Sequence, residues 1–366
     1  MKFSTARASL LKPLQAVIGV VERRQTMPIL SNVLLVAGNQ GLAVTGTDLE
    51  VELVAHGQID KLEVPGEVTV PGRKLLDICK ALPEGAEIKL ALDGDRLKLR
   101  SGRTQFVLST MPAADFPVVE DMDTAHALSL PQDELRRLLD KTHFAMAQQD
   151  VRYYLNGLML ETTRSRVRAV ATDGHRLALC ELPLGDQEIG PQQVIIPRKG
   201  VLELQRLLGG SEPVRLALGS NHVRATVGDI RFTSKLIDGR FPDYERVIPK
   251  PKNNLLKADR ETLRGALQRA AILSNEKYRG IRLEVSADLL RIQANNPDQE
   301  EATDEVAVDY QGEPMEIGFN VNYLVDALAA VDGEQVQLGL VDPNSSCLIE
   351  SEASPGVRYV VMPMRL

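Results

Sequence analysis

Three stretches of this chain are variants of one another. SNVLLVAGNQGLAVTGTDLEVEL, NGLMLETTRSRVRAVATDGHRLAL and RGIRLEVSADLLRIQANNP each follow a segment of helical spacing, and each precedes a second such segment about 35 to 40 residues later. Particular residues carry the period as well. Phe116-Pro117 returns as Phe241-Pro242 125 positions on, and Pro71 returns as Pro197 126 positions on, each ahead of a basic, leucine-bearing run. Solenoid units span roughly 20 to 50 residues, so a period this long gives each copy room for its own core. A chain of 366 residues holds two or three domains of roughly 100 to 200 residues each. We therefore expect three similar domains, placed at residues 1–122, 128–248 and 253–366.

Each copy mixes two periodicities. Leu10, Leu11, Leu14, Val17, Ile18 and Val21 form one apolar helical stripe, and five more helical segments follow Arg73, Asp133, Arg198, Asp259 and Asn320. Between them the period is two. Leu97 and Leu99 alternate with Arg96, Lys98 and Arg100, and Val223, Ala225 and Val227 alternate with His222, Arg224 and Thr226, as half-buried antiparallel strands do. Asp93-Gly94 and Asn39-Gln40-Gly41 supply hairpin turns that need positive φ. The fold class is α+β, with two helices per domain covering one side of antiparallel sheet. Tandem copies can continue a sheet from one domain into the next and so bury edges that invite aggregation.

Charge follows the same division. The chain carries -7, which speaks against gripping a polyanion by bulk charge. Yet the helical segments at 10–24, 72–81, 132–147, 198–208, 259–278 and 321–332 together carry +5, leaving -12 on the rest. Such a bias is either a set of ordinary solvated faces or one mildly basic helical surface facing a polyanion.

Catalytic chemistry is missing from the motifs. The sequence has no GxxxxGK[ST], HExxH or GxSxG pattern, so no catalytic residue, metal site or cofactor is assigned. Cys79, Cys180 and Cys347 are far apart without a Cys-x-x-Cys pair, which fits buried thiols in a reducing cytosol. Lys12 and Gln15 interrupt the N-terminal apolar stretch, so no secretory leader is expected, and no apolar run reaches the ~18 residues of a membrane span. The most enzyme-like cluster is Thr172-Asp173-Gly174-His175-Arg176, with Cys180 nearby. Thr47-Asp48 recurs at the same place in the first copy without the His, which marks the Thr-Asp pair as turn chemistry.

VTGTDLE, QDVRYYLNG, VATDGHRLA, PRKGV, FTSKL, DGRFPDYERV, RAAILSNEKYRG, MEIGFN and the terminal YVVMPMRL together resemble the bacterial DNA polymerase III beta subunits, the replicative sliding clamps, over essentially the whole chain. The resemblance implies three tandem clamp domains closing as a head-to-tail homodimeric ring, with helices lining the hole. Duplex DNA passes through without sequence reading, and polymerase is tethered to template as by a processivity factor. A topological link needs few phosphate contacts, and strong ones would oppose sliding, so an acidic protein with a mildly basic lining suits the role. It further implies a nucleoid-associated cytoplasmic protein, with no membrane partner. Its partners are a clamp loader, the polymerase III catalytic subunit, and other polymerases and repair proteins with Gln-Leu-x-Leu-Phe-like motifs. A protein-binding repeat adaptor that does not encircle DNA is the alternative reading.

The resemblance assigns Arg24, Arg73, Gln149, Tyr153 and Tyr154 to DNA, although one of the two tyrosines equally suits a core position before Leu155. It assigns Leu155, Thr172, Gly174, His175, Arg176, Leu177, Pro242, Arg246, Val247, Asn320, Tyr323, Ser346, Val361, Met362, Pro363, Met364 and Arg365 to a pocket for partner peptides. Residue chemistry agrees at the tail, where Met362 and Met364 make an adaptable apolar terminus. Ile272 lies nine residues beyond Leu263, about 180° around the helix from the core stripe of Leu263, Leu267 and Ala270. Ile272 and Leu273 are thus read as dimer contacts, or else as filling a satellite pocket in the same chain. The family points to Phe106 as partner, with Arg96 and Arg103 facing Glu300 and Asp304 across the interface.

Overall fold

The computed structural model describes residues 1–21, 27–119, 126–185, 187, 189–251 and 254–365. The threefold repeat is visible in the order of elements. The first copy runs β1 (Lys2–Ala6), α1 (Arg7–Val17), β2 (Asn32–Gly38), β3 (Gly41–Thr47), β4 (Val51–Gly57), β5 (Lys61–Val64), β6 (Gly66–Pro71), α2 (Gly72–Ala81), β7 (Glu87–Asp93), β8 (Arg96–Ser101) and β9 (Thr104–Ser109). The second shows no equivalent of β5 among the described residues. It runs β10 (Ala127–Leu130), α3 (Gln132–Asp140), β11 (Gly157–Thr162), β12 (Arg166–Thr172), β13 (Arg176–Pro183), β14 (Gln192–Pro197), α4 (Arg198–Leu207), β15 (Val214–Leu218), β16 (His222–Val227) and β17 (Ile230–Lys235). The third repeats the second: β18 (Leu255–Asp259), α5 (Arg260–Ala271), β19 (Gly280–Ser286), β20 (Leu289–Asn295), β21 (Glu301–Ala307), β22 (Met315–Asn320), α6 (Val321–Ala330), β23 (Gln335–Gly339), β24 (Cys347–Glu350) and β25 (Val357–Val361).

The chain divides into two compact units, residues 1–135 with 199–236 and residues 136–198 with 237–366. The first holds a sheet of order β5-β1-β7-β8-β9 and an eight-stranded sheet of order β10-β15-β16-β17-β4-β3-β2-β6. The second holds an eight-stranded sheet of order β14-β11-β12-β13-β25-β24-β23-β18 and a four-stranded sheet of order β21-β20-β19-β22. The strand pairings within these sheets are antiparallel, and each copy divides its strands between two sheets. In each eight-stranded sheet two copies meet edge to edge: β4 pairs with β17, and β13 with β25. These pairings satisfy backbone groups that would otherwise lie on open edges.

Local chemistry sets the helix limits. In α2 the buried Leu75, Leu76 and Cys79 fall on one face. In α5 that face is Leu263, Ala266, Leu267 and Ala270, and the Asp259 side chain caps the helix by accepting the Thr262 N–H at 2.8 Å. Three helical segments are shorter than their spacing suggested. α1 ends at Val17, where the next amides reach back only three residues: Val20 N–H to Val17 and Val21 N–H to Ile18. α3 ends at Asp140, and the Thr142 hydroxyl donates to the Leu138 carbonyl, the acceptor that the helix ladder would have used next. α5 ends at Ala271 rather than running to Tyr278, because Asn275 Oδ1 accepts the Lys277 and Tyr278 N–H groups and turns the chain. The basic bias survives this trimming, with 13 Lys and Arg against 7 Asp and Glu in the six observed helices. Gly94 and Gly41 take the positive φ expected of their hairpins, 58° and 103°.

Candidate functional site: a peptide-sized pocket in the second unit

The pocket grows from the β13–β25 seam. Leu177 and Val360 sit opposite one another across that pair and are both buried. Around them Arg152, Tyr154, Leu155, Thr172, Gly174, Arg176, Pro242, Asp243, Tyr244, Val247 and Met362 close a cavity of about 230 Å³. Its base merges with a core cluster that includes Met159, Val170, Leu179, Ile195, Phe241 and Leu348, against which Tyr154, Ile237 and Ile248 pack. A small apolar slot with a few polar groups at its mouth is suited to one or two apolar side chains of an extended segment.

The turn from β12 to β13 forms one wall. Asp173 Oδ1 accepts the N–H groups of His175 and Arg176 at 2.9 and 3.0 Å, while the Thr172 hydroxyl donates to the Arg176 carbonyl and accepts the Gly174 N–H. In the first copy Asp48 and Thr47 make the same bonds to Glu50, Val51 and Leu49. The Thr-Asp pair is therefore turn chemistry in both. The third turn residue is left-handed in each, Leu49 at φ 77° and Gly174 at φ 87°. Glycine has a second reason at 174, since a Cβ there would lie 2.9 Å from an Arg152 guanidinium nitrogen.

Arg176 is a strut behind that wall. Its guanidinium donates to Asp173 at 3.2 Å, Asp326 at 2.5 Å and the Phe144 carbonyl at 2.9 Å, and lies 4.6 Å from the Tyr323 ring centre. Arg152 is held by two bonds to Asp150, and this hydrogen bonding draws the Asp150 carboxyl down to about 2. Cys180, farther along β13, is buried, and burial pushes its thiol up to about 11, so it is a core residue and not a nucleophile. Burial likewise raises the Cys79 and Cys347 thiols to about 12.

Of the residues assigned to this pocket from the sequence, Leu155, Thr172, Gly174, Arg176, Leu177, Pro242, Val247 and Met362 line the cavity. His175, Asn320, Tyr323, Pro363 and Met364 gather on a shoulder reached through Arg176. His175 stacks on Tyr323 at 6.4 Å, Asn320 caps α6, and the tail crosses from His175 to β22 through Met362 N–H to His175 O and Met364 N–H to Gly318 O. Ser346 precedes β24, Arg246 is exposed and paired with Asp243 at 2.6 Å, and Arg365 is exposed. None of these lines the cavity. Val361 does not line it either, because successive strand side chains take opposite faces and its neighbour Val360 faces the pocket. Sequence reasoning missed Val360, Arg152, Asp243 and Tyr244, and it gave Tyr154 to DNA or to the core and not to this pocket. Strand alternation was the available signal for Val360 alone.

The other assigned residues are dispersed. Arg24 lies outside the described residues. Arg73 is exposed on α2 and donates to the Val21 carbonyl at 2.8 Å. Gln149 holds a strained φ of 129°, and Tyr153 is 58% exposed, whereas Tyr154 lies in the pocket wall. Ile272, 75% exposed at the end of α5, points away from its own core, with the half-buried Leu273 beside it. Phe106 is half-buried on β9, and Arg96 and Arg103 are exposed nearby. Asp304 on β21 pairs with Arg269 of its own chain at 2.7 Å, and Glu300 accepts from Asn296, so neither carboxylate stands bare.

Tandem copies of one module, joined strand to strand in shared sheets and carrying a small apolar slot, have the form of a multidomain binding scaffold. Comparison with known proteins gives the family. Models of the DNA polymerase III beta subunit match in three consecutive pieces, the N-terminal domain over residues 1–120, the central domain over 129–243 and the C-terminal domain over 245–365. The beta sliding clamps of Pseudomonas putida and Escherichia coli are 57% and 54% identical to this chain, each over the full length of both. The crystal structure of the DNA polymerase III subunit beta from Pseudomonas aeruginosa superposes with a TM-score of 0.98 at 55% identity, covering all of both chains. The chain belongs to the DNA polymerase III beta-subunit family, the sliding clamps, and is a non-catalytic processivity factor. No helix among the described residues is long and apolar enough to cross a membrane.

Proposed function

We propose that two copies of this chain, each with clamp domains at 1–122, 128–248 and 253–366, close head to tail into a ring that holds duplex DNA by topology. The observation that carries this reading is a pair of open edges. At both internal seams the last strand of one copy meets the same strand of the copy before it, β17 on β4 and β25 on β13. The equivalent strands left over are β9 and β21, and each ends its sheet unpaired among the described residues. Pairing β9 of one chain with β21 of another repeats the same seam, and two such contacts use up every edge of this kind. Phe106, Arg96 and Arg103 lie on or beside β8 and β9 in the first unit, and Glu300 and Asp304 lie on or beside β21 in the second, with Ile272 and Leu273 just past α5, which supports an apolar contact rimmed by opposite charges. The basic bias of the helices within an acidic protein supports a weakly attractive lining, to which Arg24, Arg73, Gln149, Tyr153 and Tyr154 contribute.

The pocket and its shoulder then serve as the mooring for partners. Short extended motifs of the Gln-Leu-x-Leu-Phe type place apolar side chains against Leu177 and Val360, and the small contact area gives modest affinity and easy exchange. Those partners are the clamp loader, the polymerase III catalytic subunit, and other polymerases and repair proteins, at the nucleoid in the cytoplasm. The test is to load the protein on nicked circular DNA with a clamp loader and ATP, then linearise the circle. Release on cutting is the expected result, and equal retention on circle and line would overturn the topological reading.

A further inference from the structure

Arg168 stands in the middle of β12 with its side chain almost wholly buried, a costly place for a guanidinium unless it is fully partnered. Glu161, Arg168 and Glu181 form one cross-strand row over β11, β12 and β13. Arg168 Nε and Nη2 donate to Glu181 Oε2 at 2.9 and 2.6 Å, and Nη1 donates to the Tyr244 hydroxyl at 2.5 Å and to Glu245 Oε1 at 3.1 Å. Tyr244 in turn donates to Glu161 Oε2 at 2.9 Å, and its ring centre lies 5.6 Å from the guanidinium carbon. Burial pushes the Tyr244 phenol up to about 12, so the hydroxyl keeps the proton it donates.

The first copy lacks this row altogether. One repeat earlier, Val36, Ala43 and His56 stand where Glu161, Arg168 and Glu181 do, and Val119 stands where Tyr244 does. There the segment after Phe116 is tied instead to the seam strand, with the Val119 N–H donating to Glu52 Oε2 at 2.9 Å. Glu52 is the counterpart of the pocket-floor residue Leu177. The same piece of chain is thus moored at the seam in one copy and away from it in the other.

We propose that Arg168 is a positioning residue for the peptide pocket: by drawing Tyr244 and Glu245 onto β11, β12 and β13, it keeps Leu177 and Val360 uncovered and fixes the Tyr244 ring as a pocket wall. This rests on the peptide reading of the pocket, and the experiment separates the two. Arg168→Met and Tyr244→Phe are made singly and together, and each is titrated into fluorescein-labelled Gln-Leu-Asp-Leu-Phe by anisotropy, with a thermal melt run beside it. Each single variant is expected to bind about tenfold more weakly, the size of one charge-assisted hydrogen bond. The double variant is expected to be no weaker than the worse single one, since both cut the same link. Tyr244→Phe keeps the ring and is expected to melt close to the parent, so it decides the matter alone should Arg168→Met fail to fold. Parent-like affinity in Tyr244→Phe, or losses that simply multiply in the double variant, would overturn the positioning role while leaving the pocket reading intact. Absence of binding by the parent chain would overturn both.

Discussion

The two internal seams share a register and differ in chemistry. At β13–β25 the facing pair Leu177 and Val360 is apolar, and the chain nearby leaves a cavity. At β4–β17 the equivalent pair is Glu52 and Thr233, both buried, and Glu52 is occupied by the Val119 N–H and by Arg231 at 3.8 Å. The backbone pairing that joins the copies is therefore independent of what the seam offers to solvent. One architecture occurs twice, and its second instance borders a small apolar cavity.

The sharpest way to break this contrast is Leu177→Glu, which gives the second seam the floor residue of the first. A carboxylate buried without a partner costs several kcal/mol, so peptide affinity should fall by roughly 100-fold or more, measured by anisotropy. Removing Met362 to Leu366 takes away a tail that the first seam does not possess. Binding of polymerase and clamp-loader peptides should disappear while circular dichroism stays unchanged, because β25 ends at Val361. Ile272→Ala combined with Leu273→Ala tests whether a third seam forms between chains, and light scattering at micromolar concentration should then report monomers.

The smallest effect belongs to Glu52→Gln. Burial raises the Glu52 pKa above its ordinary value despite the opposing Val119 N–H, Arg231 and Arg224. A raised carboxyl pKa means that the folded state binds its proton more readily than the unfolded state, so stability falls as pH rises through the folded pKa. The parent should gain stability relative to Glu52→Gln as pH is lowered from neutrality toward that value, read from paired melts.

Much of this was legible in the sequence. The period near 125 residues, the alternation in strands such as β8 and β16, and the matched Thr-Asp turns all translate directly into local hydrogen bonding. Helix ends were less legible, because Thr142 and Asn275 stop helices with side-chain bonds that compete with the ladder, and periodicity is blind to these. Val360 was within reach of an alternation argument once Leu177 had been paired with it. Tyr244 was not, since its place in the pocket wall depends on Arg168, 76 residues earlier in the chain. Tyr153 and Tyr154 are adjacent and chemically alike, and only tertiary packing sends one into the wall and leaves the other in solvent.

The seams also set a clock for synthesis. Val51 on β4 finds its partner only in Ser234, 183 residues later, and Arg176 waits 185 residues for Val361. At about 5 to 20 residues per second, the edge of β4 emerges from the ribosome roughly ten to forty seconds before the strand that covers it. Contacts so distant along the chain form slowly, and over that interval a nascent chain offers its neighbours on the same message the very edge that the finished protein reserves for itself.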